Sequence, residues 1–185
     1  MRPSSCSDNR GTRSQLFSTK SRFAGLAALA LACGSPPEPV QPQEAWNNVP
    51  LTYSFGSVDG TIVDSEQQRG RVTVLFFFTT FDLVSQAQAK RLEDLARQHV
   101  PRLNALGVAL EPPRNADLVR TFGATVGLHF PLALADADTM AGQGPFGSVR
   151  AVPTWLLLDK KGRVRSSFVG AMNPAQLDEW VAQAE

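Results

Sequence analysis

Cysteine is nearly missing from this chain. Its 185 residues hold two, Cys6 and Cys33, both in the first fifth. That scarcity excludes a disulfide-rich scaffold and a cysteine-based zinc site. It also excludes an intramolecular dithiol centre anywhere after residue 33. An excess of one charge is missing as well. Lys and Arg total 18 against 17 Asp and Glu, a formal net charge of +1, so no bulk electrostatic grip on nucleic acid is expected. No apolar run reaches the length of about 18 residues that an ordinary membrane-spanning helix needs. The two histidines, His99 and His129, stand far apart without a matching acid motif and read as surface or hydrogen-bonded residues. Asp136, Asp138 and Asp159 match no calcium-loop spacing and read as solvated loop carboxylates. No metal and no cofactor is expected. What is present is 43% apolar residues, enough to build one real core.

The first 32 residues read as an address. Residues 1–22 carry five bases (Arg2, Arg10, Arg13, Lys20, Arg22) and one acid, Asp8. The uncharged stretch Phe23-Ala-Gly-Leu-Ala-Ala-Leu-Ala-Leu-Ala32 follows, and then Cys33-Gly34-Ser35. A basic region, a short apolar core and small residues at the cut are the parts of a secretory signal. Cys33 directly after Ala-Leu-Ala resembles the bacterial lipobox, with Ala30 where that pattern prefers Leu. The resemblance implies lipidation at Cys33, and hence attachment to a membrane rather than passage through it. Gly34 in place of Asp resembles outer-membrane sorting. A plain cleavable signal, or a short helix with an inert cysteine, are the alternatives. Removing residues 1–32 leaves 13 bases against 16 acids, so the remainder is mildly acidic. Residues 33–50 contain prolines 36, 37, 39, 42 and 50 and read as an extended tether. The folded domain is expected over 51–185.

Within that domain, Leu51–Phe55 alternates as a half-exposed strand and Val58–Thr61 is a turn. Val72–Phe78 is apolar on both faces, as in a central strand covered on each side. Phe76, Phe77 and Phe78 are therefore expected in the core. A helical stripe follows through Leu83, Val84, Ala87, Leu92, Leu95 and Ala96, stopping before Pro101. Leu106–Leu110 reads as a strand. Asn115–Phe122 reads as a helix ending near Gly123. Phe130–Leu134 is a short edge strand, and Gly142–Gly147 a loop. Val152–Leu158, the turn Asp159–Gly162 and Arg163–Val169 form a hairpin. Asn173-Pro174 opens a last helix through Leu177, Trp180 and Val181. This order predicts a three-layer α/β/α domain with a central mixed sheet.

Three strings carry a resemblance to the thioredoxin superfamily, in particular to the TlpA/ResA-like redoxins of bacterial envelopes. They are Val58-Asp-Gly-Thr with Arg69-Gly-Arg-Val72, Leu75-Phe-Phe-Phe-Thr-Thr-Phe81, and Val152-Pro-Thr-Trp-Leu-Leu-Leu-Asp-Lys-Lys-Gly162 followed by Phe168-Val-Gly170. The resemblance implies a thioredoxin-like fold with Pro153 as the family's cis-proline. It also implies a reactive Cys-x-x-Cys at the start of the helix after the central strand, where the positive helix end lowers a thiol's pKa. Here those positions are Asp82 and Ser85, in Asp82-Leu-Val-Ser85, and neither can form a disulfide. The copper-chaperone variant of the pattern would use Phe81 and Ser85 and fails equally for want of a thiolate. The bland reading of Asp82 and Ser85 is a helix cap and its first turn. The groove implied by the resemblance is lined by Thr80, Phe81, Val152, Pro153 and Thr154. The functional expectation is a membrane-anchored, envelope-facing binding or scaffold module, on the periplasmic side, whose partner is an envelope protein or an extended peptide segment. The alternative is a thiol-disulfide oxidoreductase that acts with a partner's cysteines.

Overall fold

The structure is a computed structural model that describes residues 48–184. The signal, Cys33 and all but the end of the Pro-rich segment lie outside the described residues. The described residues belong to one compact unit, and both hydrophobic clusters lie inside it.

A five-stranded mixed sheet organises the domain. β1 (Ser54–Gly56) and β2 (Ile62–Asp64) form a small separate hairpin. β3 (Val72–Phe78), β4 (Leu103–Ala109), β5 (Leu132–Leu134), β6 (Thr154–Leu158) and β7 (Val164–Val169) build the main sheet in the order β5-β4-β3-β6-β7. β3, β4 and β5 run parallel, and β6 and β7 join antiparallel. The parallel pairs are linked by α1 (Leu83–Gln98) and α2 (Ala116–Val126). The short α3 (Ala137–Ala141) follows β5, and α4 (Pro174–Ala182) closes the chain.

β3 is buried along its whole length, because its side chains feed two cores alternately. Phe76 and Phe78 face the cluster under α1, α2 and α4, with Leu92, Phe122, Trp155 and Leu177. Leu75 and Phe77 face the other cluster, with Tyr53, Phe55 and Phe146. The two covering layers are therefore unequal. The three longer helices supply one, while the β1–β2 hairpin and the chain before it supply most of the other. Burial pushes the Tyr53 phenol well above its ordinary pKa, which keeps it neutral inside that second core.

Four departures from the sequence reading have physical causes. The buried stripe of α1 does not include Leu83 and Val84, which are 78% and 44% exposed, nor Ala87, which also faces solvent. It begins at Ser85, Gln88 and Ala89 instead, because the first turn precedes the stretch that lies on the sheet. α2 runs through Gly123 and ends on Gly127, whose φ of 75° suits a left-handed cap. Gly123 serves packing rather than termination. A Cβ there would stand 2.6 Å from Leu132 Cδ1, and one at Gly107 would stand 2.6 Å from Leu132 Cδ2, so Leu132 is seated over two glycines. Asp136 is the cap of α3, accepting from the Thr139 N–H at 2.7 Å, where a plain loop was expected. Asp159 is buried rather than solvated. Burial alone would raise its pKa. The N–H and guanidinium of Arg163 and the N–H of Lys161 offset this and hold it below the ordinary carboxylate value.

Candidate functional site

The end of β3 delivers the chain to the candidate site. Thr79 to Asp82 leave the strand and turn into α1. Thr80 is buried and fixed on both sides of its backbone. Its N–H donates to Glu111 Oε1 at 2.6 Å, and its C=O accepts from Gln86 Nε2 at 3.0 Å. Phe81, next in the chain, is 76% exposed. Asp82 then caps α1, its Oδ2 accepting from the Ser85 N–H at 2.7 Å. The Ser85 hydroxyl beside it, then the N–H groups of Ser85 and Val84, hold the Asp82 carboxyl below the usual carboxylate range. Ser85 itself is completely buried, and its hydroxyl has no aligned hydrogen-bond partner among the described residues.

The second wall comes from the start of β6. Thr154 pairs with Phe77 across the sheet, so Pro153 sits level with the exit of β3. The Val152–Pro153 bond is cis, as the resemblance implies. Pro153 is buried and its C=O accepts from the Gly170 N–H at 2.8 Å. Thr154 is buried and donates to the Ala151 C=O at 2.6 Å. Val152 is half-buried. Its backbone N–H and C=O take part in no hydrogen bond among the described residues. Thr80, Phe81, Asp82 and Ser85 are thus gathered at the same sheet end as Val152, Pro153 and Thr154. Cys33 lies outside the described residues.

Two features escaped the sequence reading. Leu83 and Val84 join Phe81 as exposed apolar side chains, three within four residues. Glu111, two residues past the end of β4, is 1% exposed. Besides Thr80 it binds Asn115, whose Nδ2 donates to Oε2 at 2.7 Å. An acid placed immediately after an apolar strand was the available signal. Elsewhere, His129 Nδ1 lies 2.7 Å from Oε1 of buried Glu93, thirty-six positions earlier in the chain, so that histidine is indeed hydrogen-bonded. Among the described residues no group of three or more His, Cys, Asp or Glu is arranged to hold a metal ion.

The Asp82 cap has a measurable consequence. Because its folded pKa is depressed, its contribution is present above the unfolded value of about 4 and is lost as pH falls through the lower folded value. Asp82→Ala is expected to lower stability by about 1 kcal/mol at pH 7, with the gap between variant and parent narrowing near pH 2.5. Urea unfolding at the two pH values checks it.

A parallel run of strands beginning at a central β3, an antiparallel pair led by a cis-proline, and a capped helix beside that proline define a thioredoxin-like domain. Known proteins bear out that class. The thioredoxin-family thiol:disulfide interchange protein of Chlorobium tepidum TLS superposes with a TM-score of 0.64 at 20% identity, over 81% of this chain and 99% of that one. StoA from Bacillus subtilis gives 0.59 at 21% identity, over 72% and 98%. A DsbF homologue from Corynebacterium diphtheriae gives 0.66 at 16% identity, over 80% and 95%. In sequence, the sporulation thiol-disulfide oxidoreductase A of Bacillus subtilis is 22% identical over 149 residues, 80% of this chain and 88% of that protein. No protein-family model matches the chain. Together they show a thioredoxin-like fold, with a distant sequence likeness to a thiol-disulfide oxidoreductase.

Proposed function

We propose that this protein is a lipid-anchored, extracytoplasmic redoxin-type binding module that performs no dithiol chemistry of its own. The observation that carries the reading is the pair Asp82 and Ser85 at the start of α1 beside cis-Pro153, with no sulfur nucleophile after Cys33. A thiol-disulfide exchange needs an attacking thiolate and a leaving one. A carboxylate and a buried hydroxyl supply neither. The apolar rim at Phe81, Leu83 and Val84 and the unused backbone of Val152 suit an extended segment of an envelope protein, held by strand-like hydrogen bonds and an aromatic anchor. Lipidation at Cys33 would keep the domain at a membrane surface.

Two measurements test this. A photo-reactive residue at position 81 is expected to capture an extended peptide or protein partner, and Phe81→Ala to weaken that partner's binding at least tenfold. Insulin reduction by the protein is expected to stay at the background level, and clear turnover without an added thiol would sink the reading. A second reading draws on the thiol-disulfide oxidoreductase relative: the domain positions a partner whose own cysteines react. It is distinguished by turnover that appears only when that partner is added.

A further inference from the structure

We propose that the end of the domain opposite the candidate site is a docking face for an anionic phospholipid surface. The inference rests on the anchored reading for the nearness of a membrane and for the end of the domain that faces it.

Bases collect at this end on neighbouring strands. Arg71 precedes β3, Arg102 precedes β4, Lys160 and Lys161 form the turn after β6, and Arg163 and Arg165 open β7. Strand pairing puts these positions at one edge: Val72 lies opposite Leu103, and Thr73 opposite Leu158. Adjacent strands are about 4.8 Å apart, so the row crosses four strands over roughly 15 Å. Arg97, in the last turn of α1, extends it beneath the helix layer. Two of the acids at this end are paired with their own arginines. Glu66 is paired with Arg69 at 2.6 Å, and Asp159 with Arg163 at 2.8 Å. Arg71, Arg97, Arg102, Lys161 and Arg165 are exposed and form no ion pair among the described residues. A shallow depression lined by Lys160, Lys161, Arg163 and Arg165, with Gln183 at its side and Asp159 held by Arg163 at its floor, offers a mainly basic concavity for a phosphate group.

The chain's own path selects a membrane as the occupant. The described residues begin at Asn48, and Pro50 bridges Arg163 while the Leu51 N–H donates to the Gly162 C=O at 2.8 Å. The polypeptide coming from Cys33 therefore enters the domain at the basic end. A lipid-attached chain would join the domain at that end, which favours it over the site as the end nearer the bilayer. The opposite end carries Asp82, Asp136 and Asp138 together with Arg114 and Arg150, so it holds mixed charge and a negative surface favours the basic pole. β3 spans seven residues between the poles, about 23 Å at 3.3 Å per residue. Docked this way, Phe81 is held clear of the headgroups and open to a partner in the envelope.

The test uses residues 37–185, a span that contains both cores, so that the basic leader contributes nothing. It is expected to sediment with phosphatidylglycerol vesicles and not with phosphatidylcholine vesicles in 50 mM salt, and to be released by 300 mM salt. Lys161→Gln with Arg165→Gln is expected to lower the partition coefficient about thirtyfold, with an unchanged thermal midpoint showing that the fold is intact. Equal sedimentation with both vesicles, none with either, or a double variant that partitions like the parent would overturn the proposal. Free inorganic phosphate at 10 mM, matched for ionic strength, is expected not to compete; displacement by it would identify a small-anion site and overturn the membrane assignment. Failure of lipidation at Cys33 would be read separately, as release of a full chain from membranes, and capture at position 81 reads the groove independently.

Discussion

Asp82→Cys combined with Ser85→Cys is expected to turn this domain into a thiol-disulfide reductant. The backbone already meets the geometric demand. Positions 82 and 85 are the cap and first turn of one helix, which sets their Cα atoms about 5–5.5 Å apart, inside the range a disulfide accepts. The environments differ in the required sense. Position 82 is partly exposed and position 85 is fully buried, so an attacking thiol would sit outside and a resolving thiol inside. The N–H groups that now depress the Asp82 pKa would stabilise a thiolate for the same reason. The lost cap costs about 1 kcal/mol, small against the stability of a normal domain. Insulin reduction with a dithiol co-reductant is expected to rise from background by two orders of magnitude or more, and the single variants to remain inactive. A folded double variant that forms no disulfide on oxidation would show that the α1 start is not the equivalent of a redox helix start, and the site assignment would fall with it.

That expectation leans on how much of the site could be read from residues alone. The strings around Phe77, Pro153 and Asp82 specify strand, proline and cap locally, because each rests on short-range rules: β-branched and aromatic continuity, the X-Pro bond, and an Asp accepting from the N–H three residues on. What could not be read was anything fixed by packing between distant segments. Gly123 looked like a helix stop because a glycine's turn role and its packing role are the same letter. Its real neighbour, Leu132, comes from another element. Leu83 and Val84 looked like core because periodicity identifies a helix face but not how far the sheet beneath it extends. Their exposure changes the functional picture, since it enlarges the apolar rim beside Phe81. Glu93 and His129 were unreadable as a pair for the same reason, being joined only by the crossover of α2.

Glu111 is the strongest instance, and it carries the second large effect. Glu111→Ala is expected to destabilise the domain by about 4 kcal/mol. The buried Thr80 N–H and the part-buried Asn115 amide lose a charged acceptor at once, and a stranded buried group costs about 1–3 kcal/mol. The damage is directed as well as large. The strand exit is otherwise tied by the Leu110 N–H to the Phe78 C=O at 2.8 Å and by the Gln86 contact to Thr80. With Glu111 gone, the segment from Thr79 to Asp82 keeps its ends but loses its middle, so Phe81 is no longer presented in one orientation. Hydrogen exchange of the Thr80 amide is expected to accelerate far more than that of the central β3 amides, and partner capture at position 81 to fall even where the domain remains folded. Glu111→Gln retains an acceptor for Thr80 while giving up the charge, and is expected to cost about half as much. If Glu111→Ala instead stayed within about 1 kcal/mol of the parent with Thr80 exchange unchanged, the buried carboxylate would not be what positions this loop, and the rim of the groove would have to be held by the packing of α1 alone.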